Sequence, residues 1–521
     1  MLARSWLHRQ IHEAWKNGAT MVELDLIVRA ALARDGARRG KRNALVAALR
    51  QAIHDGALLP GAVLPASRAL ADGFGLGRNT VVGAYEQLVA EGYLRADRQG
   101  TVVGASMRAT PSAAAAPRLA RSRAATPELS RRAASLPGTH VGDESPLPFL
   151  PGVPALDRFP IERWRRTLAA AWRSVGPASL AGRGAEGEPV LRAAIAAHLR
   201  SSRGVRCTPE QIQVTSGTQE GMGLCAHLLA EAGDRVWIEN PGYIGARAAF
   251  GASGLELVGV RLDGEGLAPT REAWRLRPPR LIYATPSHQY PTGTVMSLAR
   301  RTALLEAASR AGAWVLEDDY DSEFCHGVPL AAMQGLAGDA PVVYLGTFSK
   351  TLYPALRLGF VVWPGALLER VQSRLGHLAG VGRVAEQEAL AAFIHDGHFA
   401  THLRRMRALY AERQAALRAA LDACWPWATQ VGGGDAGMHL VVSLPAAVKD
   451  TEVVAEALAR GLQPQALSAC CLPGRAPANG LVLGYANIEA ARMADGVRTL
   501  AAAARAVARR SARSRSSSHT G

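Results

Sequence analysis

The chain is poor in lysine, although it is strongly basic overall. Only four of its 60 basic residues are lysines, and its formal net charge is +16. Arginine is therefore the usual source of positive charge, and a lysine at a given position needs a reason of its own. Lysine can form a Schiff base with an aldehyde, whereas arginine cannot. Lys350, which follows the β-branched run of residues 342–345, is thus a candidate reactive amine.

Cysteine is also scarce, and long apolar runs are missing. The six cysteines show neither CxxC nor His-containing spacing, so the sequence indicates no disulfide framework and no metal site. No apolar run approaches the roughly 20 residues of a membrane span, and the N-terminus has no signal-like apolar core. We expect a cytoplasmic protein without a membrane segment. A length of 521 residues predicts two or three folded units.

Basic charge is concentrated at the two ends of the chain. Residues 1–103 and 104–142 each carry a net charge of +5 and residues 498–521 carry +6, which leaves residues 143–497 neutral. Such a distribution favours a polyanionic partner, above all nucleic acid bound by the N-terminal part. A compositional bias towards arginine and alanine would give the same totals, and charge alone does not separate the two interpretations.

Residues 41–103 show the pattern of three helices followed by a β-hairpin. The first helix covers residues 43–54, the second follows Pro65, and the third covers residues 78–91. A hairpin over residues 92–103 completes a predicted winged helix-turn-helix. The apolar faces predicted for the first and third helices are Leu45, Val46, Leu49, Ile53, Val81, Val82, Tyr85 and Leu88.

The first turn of the third helix is Arg78-Asn79-Thr80, and it offers donors to phosphates and base edges. A helix in the major groove needs such donors at its start. Arg68 on the preceding helix is placed to reach a phosphate, and Gly100 allows the wing to approach the DNA backbone closely. An isolated Arg-Asn-Thr is more often a simple helix start, but the order of helices and wing favours DNA binding.

Residues 43–103, with the motifs LPASRAL, GLGRNTVV and AYEQLVAEGYL, resemble the DNA-binding domain of GntR-type regulators. The resemblance implies binding to double-stranded operator DNA as a homodimer. The contact positions that it implies are Arg68, Arg78, Asn79, Thr80 and Gly100. The wing departs from the family pattern, because Arg98-Gln99-Gly100-Thr101 replaces a glycine-richer loop.

Three segments carry no site signal. Residues 1–40 are a helix-prone N-terminal extension. Residues 104–143 are rich in Ala, Pro, Ser and Arg and could not build a core, which predicts a flexible basic linker. Its arginines are equally suited to nonspecific DNA contact and to simple solvation. Residues 506–521 are rich in Arg and Ser, which predicts a disordered basic tail.

Residues 144–505 alternate between short apolar runs and helical patterns. This alternation predicts an α/β domain with a mostly parallel sheet. The candidate strands are residues 213–215, 235–239, 257–260, 280–284, 313–317 and 342–345.

Polar segments follow several of these strands, and ligands of open α/β sheets bind at the carboxyl ends of strands. TSGTQEG, from Thr215, opens a helix whose amides suit a phosphate. ENPGY presents the aromatic Tyr243, and EDDY supplies carboxylates that need a cationic partner when buried. Arg357, seven residues after Lys350, adds a second charge for a phosphate. Each segment alone is equally a turn or a cap, but together they predict a pyridoxal 5'-phosphate site.

The body resembles the fold-type I aminotransferases. The resemblance implies Lys350 as the Schiff-base lysine, Asp318 at the pyridine nitrogen, Tyr320 at the ring hydroxyl and Tyr243 stacked on the ring. Asp319 stays an alternative to Asp318, because enzymes of this fold usually place the tyrosine three residues after the aspartate. The phosphate residues that it implies are Gly217, Thr218, Gln219, Thr347, Ser349 and Arg357.

A GntR-type head, a linker and an aminotransferase-like body together resemble the MocR subfamily of transcription regulators. Three departures from the aminotransferase pattern bear on catalysis. Tyr290 replaces an asparagine before Pro-Thr-Gly, and residues 181–188 lack a tyrosine for which Arg183 is a candidate substitute. Val482 stands where aminotransferases usually have the arginine that clamps the substrate α-carboxylate.

Two functions follow as hypotheses. In the first, the protein is a transcription regulator whose body senses pyridoxal phosphate or an amine effector, and it is not an enzyme. In the second, it is an active aminotransferase with an attached DNA-binding domain. Val482 favours the first, with pyridoxal phosphate itself or a ligand other than an α-amino acid as the effector.

Overall fold

The computed structural model describes most of the chain. The described residues are 27–34, 40–97, 100–104, 129–134, 136, 138, 146–181, 184–325, 331–336, 338, 340–380, 382–428, 430–434, 436–473 and 478–517. The chain divides into two compact units, Met1–Pro127 and Glu128–Gly521. None of the helices formed by these residues is long and apolar enough to cross a membrane.

The first unit contains helices and one small antiparallel sheet in the order β1-β3-β2. Its helices are residues 27–34, Lys41–His54, Ser67–Phe74 and Arg78–Ala90. Its strands are β1 Val63–Leu64, β2 Leu94–Asp97 and β3 Gly100–Val103.

The core of the first unit is the predicted apolar face with one change. Seven of the eight predicted side chains are buried, but Val82 is only half-buried and Ala84 is buried instead. Ala84 lies three positions after Val81 and therefore points to nearly the same side of the helix. Val82 is rotated by about 100° from Val81, towards the edge of the buried face. Val28 and Ala31 of the N-terminal extension also belong to this core.

The second unit is built on an eight-stranded sheet in the order β4-β11-β10-β9-β8-β5-β6-β7. Strands β5, β6, β8, β9 and β10 are parallel to their neighbours in that run, whereas β7 and β11 are antiparallel to theirs. The strands are β4 Ile212–Thr215, β5 Arg235–Asn240, β6 Glu256–Asp263, β7 Gly266–Leu267, β8 Leu281–Ala284, β9 Trp314–Asp319, β10 Val342–Thr347 and β11 Gly359–Val362.

A second, antiparallel sheet in the order β12-β13-β15-β14 completes this unit. Its strands are β12 Val431–Gly432, β13 His439–Ser443, β14 Gln465–Ala466 and β15 Gly480–Gly484. The α-helices are Arg131–Ala134, Ile161–Ser174, Pro177–Leu180, Pro189–Arg203, Thr218–Leu229, Ile244–Ala252, Arg271–Leu276, Leu298–Ala311, Met333–Leu336, Leu368–Leu378, Val384–His395, His398–Cys424, Asp450–Leu458 and Ala490–Ser517.

Two segments depart from the predicted flanks. The last helix, Ala490–Ser517, includes most of the segment predicted to be a disordered tail, residues 506–521, of which 518–521 lie outside the described residues. Alanine favours helix, and Val507 is fully buried, so packing extends the helix past the predicted boundary. Within the predicted linker, Arg132 donates a hydrogen bond to the carbonyl of Ala252, so this part packs on the body.

Candidate cofactor site and nucleic-acid interface

The first unit presents the predicted DNA-contact residues on its surface. Arg78 and Asn79 are exposed in the first turn of their helix, and Thr80 is half-exposed. Arg68 is exposed on the preceding helix. Gly100 is exposed at the start of β3 with φ of 134°, a backbone conformation that glycine adopts without strain. The neighbouring wing residues 98 and 99 lie outside the described residues.

The third helix is fixed to the rest of the unit by buried contacts. The hydroxyl of Tyr85 donates a hydrogen bond of 2.9 Å to the carbonyl of Pro65, and burial raises the pKa of this hydroxyl. The carbonyl of Gly77 accepts from the amides of Thr80 and Val81, which starts the helix. A rigid helix with a polar first turn is what major-groove binding requires.

In the second unit, strand ends converge at one edge of the large sheet. Thr347 at the end of β10 pairs with Gly359, which pairs in turn with Thr215 at the end of β4. Asp318, near the end of β9, lies beside Leu345 of β10. The segments after β4, β9 and β10 therefore meet, as the sequence predicted for a ligand site.

Lys350 lies at this edge with its side chain half-buried. Its Nζ donates a hydrogen bond of 2.8 Å to the carbonyl of Gly152. Burial lowers the pKa of the Lys350 amine, while the negative charges of Asp321 and Asp318 act in the opposite direction. The neutral amine is the nucleophilic form, so burial favours the reactive state.

Asp319 is engaged in a buried ion pair. Its Oδ2 accepts from Arg203 Nε at 2.7 Å and from the Tyr344 hydroxyl at 2.7 Å. Arg203 also donates to the Ser287 hydroxyl at 2.6 Å. Both charged side chains of this pair are almost fully buried. The ion pair gives Asp319 a structural role in the described structure.

Asp318, its neighbour, has different surroundings. Its Oδ2 accepts from the Tyr283 hydroxyl at 2.6 Å, and its buried Oδ1 has no partner among the described residues. Burial raises the pKa of Asp318 to about 7; the Tyr283 hydrogen bond and the charge of Lys350 act in the opposite direction. Oδ1 of Asp319 also lacks a described partner. Of these two neighbouring aspartates, however, Asp318 is the one that acts electrostatically on Lys350, together with Asp321.

Tyr320 belongs to a polar cluster that the sequence analysis missed. Its hydroxyl lies 3.1 Å from Nδ1 of His288, which also lies 2.9 Å from Oδ2 of the buried Asp321. The ring of His439 is centred 5.0 Å from that of His288, and burial lowers the pKa of His439 to about 3. The motifs HQYPTG and EDDYD contain His288 and Asp321, but nothing in the sequence brings residue 439 to them.

Two tyrosines extend this cluster. The ring of Tyr243 is centred 5.8 Å from that of Tyr290, edge to face, and the Tyr290 ring is 6.1 Å from that of Tyr320. Burial raises the pKa of Tyr243, and the charge of Arg357 acts in the opposite direction. Arg357 is exposed and has φ of 49°, in the left-handed region. The charge of Arg357 thus acts on Tyr243, which relates the two predicted residues electrostatically.

The residues predicted around a phosphate lie where β4 and β10 end. Gly217, with φ of 96°, precedes the helix that begins at Thr218. A Cβ on Gly359 would lie 2.9 Å from Cα of Gly217, so this close approach requires glycine. The hydroxyl of Thr347 accepts from the amide of Ser349 at 3.1 Å. A phosphate at this edge would meet the positive end of the helix macrodipole.

Gln219 differs from the other predicted phosphate residues. Its side-chain amide donates a hydrogen bond of 2.9 Å to the carbonyl of Gly245. The side chain therefore connects the helix after β4 to the helix after Tyr243, and its backbone amide is the group that remains suited to a phosphate. Arg183, the candidate substitute for the missing tyrosine, lies outside the described residues.

Glu239 is a further buried carboxyl beneath this edge that the sequence analysis did not single out. It accepts from the Thr285 amide at 3.1 Å, from the Thr285 hydroxyl at 2.6 Å and from Gln289 Nε2 at 3.1 Å. Burial raises the pKa of Glu239 to about 7, against these hydrogen bonds. The carboxyl thus holds the segment that carries His288 and Tyr290.

The comparisons with known proteins match both units. Residues 41–103 match the family model "Bacterial regulatory proteins, gntR family", and residues 157–492 match "Aminotransferase class I and II". The chain is 39% identical over 468 residues to the probable rhizopine catabolism regulatory protein MocR of Rhizobium meliloti, which covers 87% of this chain and 92% of that protein. The chain belongs to the MocR family of GntR-type regulators.

Other MocR-type proteins and solved aminotransferases agree with this. The transcriptional regulator TauR of Rhodobacter capsulatus is 33% identical over 89% of this chain and 98% of its own length. The α-aminoadipate aminotransferase LysN of Thermus thermophilus, complexed with N-(5'-phosphopyridoxyl)-L-leucine, has a TM-score of 0.65 and 29% identity over 73% of this chain and 97% of that chain.

These findings confirm the predicted fold class. A winged helix-turn-helix head is joined to an α/β body of the fold-type I aminotransferase fold with a large, mostly parallel sheet. The protein is a MocR-type transcription regulator with a DNA-binding domain and an aminotransferase-like domain.

Proposed function

We propose that this MocR-type regulator binds pyridoxal 5'-phosphate through Lys350 and adjusts its operator binding to what occupies that site. The observation that carries the proposal is the buried Oδ1 of Asp318, which has no partner among the described residues, in the strand beside the one that precedes Lys350. The charge of Asp318 also acts on the Lys350 amine. When bound, the cofactor supplies an aldehyde that condenses with primary amines and a ring nitrogen that withdraws electrons.

The residues of the site fit the parts of such a cofactor. Lys350 offers an amine whose neutral form is favoured by burial. Asp318 offers a carboxyl oxygen for a protonated ring nitrogen, which would relieve the cost of burying that oxygen alone. Tyr320 offers a hydroxyl, and Tyr243 offers an aromatic face. The phosphate would be held by Gly217, Thr218, Gln219, Thr347, Ser349 and Arg357.

Each side chain has a task that its own surroundings support. Tyr283 holds Asp318 by a hydrogen bond of 2.6 Å and so orients the free oxygen. His288 lies within hydrogen-bond distance of the Tyr320 hydroxyl and so fixes its position. Together these contacts order the site before any ligand enters, which reduces the free-energy cost of binding.

In the head, we propose that Arg78, Asn79 and Thr80 enter the major groove. Their position in the first turn of an exposed helix supports this assignment. Arg68 and Gly100 would contact the phosphate backbone, which fixes orientation without determining sequence. Binding as a homodimer would place two heads on two operator half-sites.

Regulation requires that the ligand prefer one arrangement of the protein over another. Pyridoxal phosphate itself, or an amine that joins it, would be the ligand with this preference. The relative MocR is described as a probable rhizopine catabolism regulatory protein, which supports a body that senses a small molecule.

The alternative is an active aminotransferase with an attached DNA-binding domain. The fold shared with the LysN aminotransferase favours it. Val482, however, lies fully buried where such enzymes usually hold the α-carboxylate with arginine, and valine offers no donor for that carboxylate. We therefore favour the regulator hypothesis, under which the protein does not rapidly convert amino acids.

The test uses the full-length protein incubated with pyridoxal phosphate. We expect visible absorbance of a protein-bound cofactor that borohydride fixes covalently, and operator affinity that differs with and without the cofactor. Lys350→Ala should lose both, whereas Lys449→Ala, which removes an exposed lysine of the same unit, should lose neither. A preparation that takes up no cofactor would contradict the proposal, and fast conversion of a common amino acid would favour the enzyme.

A further inference from the structure

A cavity of about 630 Å³ lies at the edge of the large sheet where β8, β9 and β10 begin. Arg280 and Pro341 immediately precede β8 and β10, Trp314 is the first residue of β9, and all three line the cavity. Asp318 lies four residues further along β9, about 13 Å away in an extended strand. The cavity is therefore separate from the candidate cofactor site, and the proposed function gives it no role.

One side of this cavity is apolar. Leu229 and Val371 belong to the buried core of the second unit, and Leu228, Leu367 and Trp314 are half-buried against that core. An apolar group that covered these half-buried side chains would be favoured, because apolar surface would leave water on both sides of the contact. The volume lies within the range of about 300–1,000 Å³ that is usual for small-molecule sites.

The other side of the cavity is positively charged. Arg280, Arg370 and Arg374 line it, and all three are exposed. None of the three forms an ion pair with another residue that the structure describes. The described residues that line the cavity include no acidic side chain, so these three charges have no counter-charge within it.

Two of the arginines are neighbours on one helix. Arg370 and Arg374 lie four residues apart in the helix Leu368–Leu378, and like charges at this spacing repel each other. Nη1 of Arg374 donates a hydrogen bond of 2.7 Å to the carbonyl of Arg370 and one of 2.8 Å to the Ser373 hydroxyl. These contacts hold the guanidinium along the helix, next to residue 370. An anion bound by both arginines would relieve their repulsion.

Arg280 is held in place by the backbone of two other segments. Its Nε donates a hydrogen bond of 2.7 Å to the carbonyl of Leu229, and its Nη1 donates a longer one of 3.4 Å to the carbonyl of Gly312. Its Nη2 has no partner among the residues that the structure describes. The guanidinium is thus oriented before a ligand enters and still has donors to offer, which lowers the entropic cost of binding.

We propose that this cavity binds a small organic anion. Arg370 and Arg374 hold its acidic group, Arg280 adds a third positive charge, and an aromatic or aliphatic body packs against Trp314 and Leu367. The inference goes beyond the proposed function and does not rest on it, because the cavity and the candidate cofactor site lie at different edges of the sheet.

The test uses the full-length protein and two fluorescent probes that share their rings. One is 1-anilinonaphthalene-8-sulfonate, which is negatively charged, and the other is N-phenyl-1-naphthylamine, which is uncharged. The double variant Arg370→Gln/Arg374→Gln removes both charges and keeps two polar side chains. We expect it to bind the sulfonate at least about tenfold more weakly than the wild type, the effect of losing a hydrogen bond to a charged group. Its affinity for the uncharged probe should be unchanged.

The matched control is Arg505→Gln/Arg509→Gln. These two arginines are also exposed and also lie four residues apart, in the helix Ala490–Ser517, but they do not line the cavity. The control should bind both probes as the wild type does. Both double variants should keep the melting temperature of the wild type, because they change only exposed side chains.

Two further measurements test the position of the site and the apolar part of the ligand. Energy transfer from tryptophan to the bound sulfonate probe should fall in Trp314→Phe, because Trp314 lines the cavity. In competition, 2-naphthoate should displace the probe at a concentration at least about tenfold lower than inorganic phosphate, which meets the arginines but has no apolar body to bury.

Several results would overturn the inference. They are no binding of the sulfonate by the wild type, equal binding by the wild type and Arg370→Gln/Arg374→Gln, and an equal loss of both probes in that variant. Unchanged energy transfer in Trp314→Phe would place the probe elsewhere, and displacement by phosphate as readily as by naphthoate would exclude the apolar body. None of these results bears on the proposed function, because cofactor uptake at Lys350 is measured separately.

Discussion

In the head, the candidate contact residues Arg78, Asn79 and Thr80 are consecutive and lie on the surface of one helix. In the body, Asp318 lies in β9 and Lys350 follows β10, the neighbouring strand, and the two side chains are buried and half-buried, respectively. An exposed side chain can be changed without much effect on folding, whereas a buried polar one takes part in both folding and binding. We therefore expect that substitutions at the contact residues of the head change DNA binding but not the free energy of unfolding. In the body, we expect substitutions at the site residues to change both.

The largest expected effect is that of Asp319→Asn. The change replaces the carboxylate that pairs with the buried Arg203 by a neutral amide, and breaking a buried ion pair costs about 3–5 kcal/mol. Urea unfolding followed by tryptophan fluorescence would measure the free energy of unfolding. Arg165→Gln, at an ion pair whose side chains are both well exposed, is the control and should change it by less than about 0.5 kcal/mol. A change in the free energy of unfolding as small as that of the control would contradict the view that buried polar residues of the body contribute to folding.

The next effect concerns Asp318→Asn and pH. Burial raises the pKa of Asp318 from 3.8 to about 7 in the folded protein, so the folded state favours the protonated carboxyl. The stability from this preference is present below about pH 4 and is lost as the pH rises through 7. Asparagine does not ionise, so the free energy of unfolding of the variant does not fall in this pH range. At pH 8 the variant should therefore be more stable than the wild type, by up to about 4 kcal/mol.

Thermal unfolding between pH 4 and pH 8, without added cofactor, would measure this difference. The two curves should converge at the acidic end and separate as the pH rises. The same variant should bind pyridoxal phosphate more weakly, because the ring nitrogen loses its carboxylate. Parallel curves at all pH values would contradict the assignment of a raised pKa to Asp318. A more stable variant with unchanged cofactor binding would contradict the expectation that one substitution in the body changes both stability and binding.

A smaller effect is expected for Arg78→Ala in the head. Loss of a base-edge or phosphate contact should weaken operator binding by about 1–3 kcal/mol, while the melting temperature stays close to that of the wild type. Glu86→Ala, an exposed charge two turns further along the same helix, is the matched control. Fluorescence anisotropy with labelled operator at fixed salt would compare them. If Arg78→Ala lowered the melting temperature as well as the operator affinity, the contact residues of the head would contribute to folding as those of the body do.

The smallest effects are expected at ion pairs on the surface, where the two units should behave alike. Arg50 pairs with Glu91 at 2.6 Å in the head, and Arg510 pairs with Glu456 at 3.0 Å in the body. Such surface pairs contribute little, because water and salt screen them. Glu91→Gln and Glu456→Gln should each change the melting temperature by no more than the reproducibility of the measurement. A clear loss in one unit alone would show that burial is not the property that distinguishes the two.

The sequence predicted the architecture, which the comparisons confirm, and it named the candidate site residues, whose roles stay predictions. Local patterns predicted a helix over residues 78–91 and strands over residues 313–317 and 342–345, because apolar periodicity reflects which face is buried. The structure has these elements as Arg78–Ala90, Trp314–Asp319 and Val342–Thr347. The scarcity of lysine pointed to residue 350. The predicted tail was wrong for residues 506–517, since burial of Val507 depends on a distant helix and not on local composition.

What the sequence determined by itself was the order of elements and the chemical groups available, because these depend on residue type and near neighbours. The tertiary structure decided which groups meet. It paired Asp319 with Arg203, and it brought His439 to His288 and Gln465 to Tyr290. Those contacts join residues far apart in the chain, and only the packing of two sheets fixes their distances.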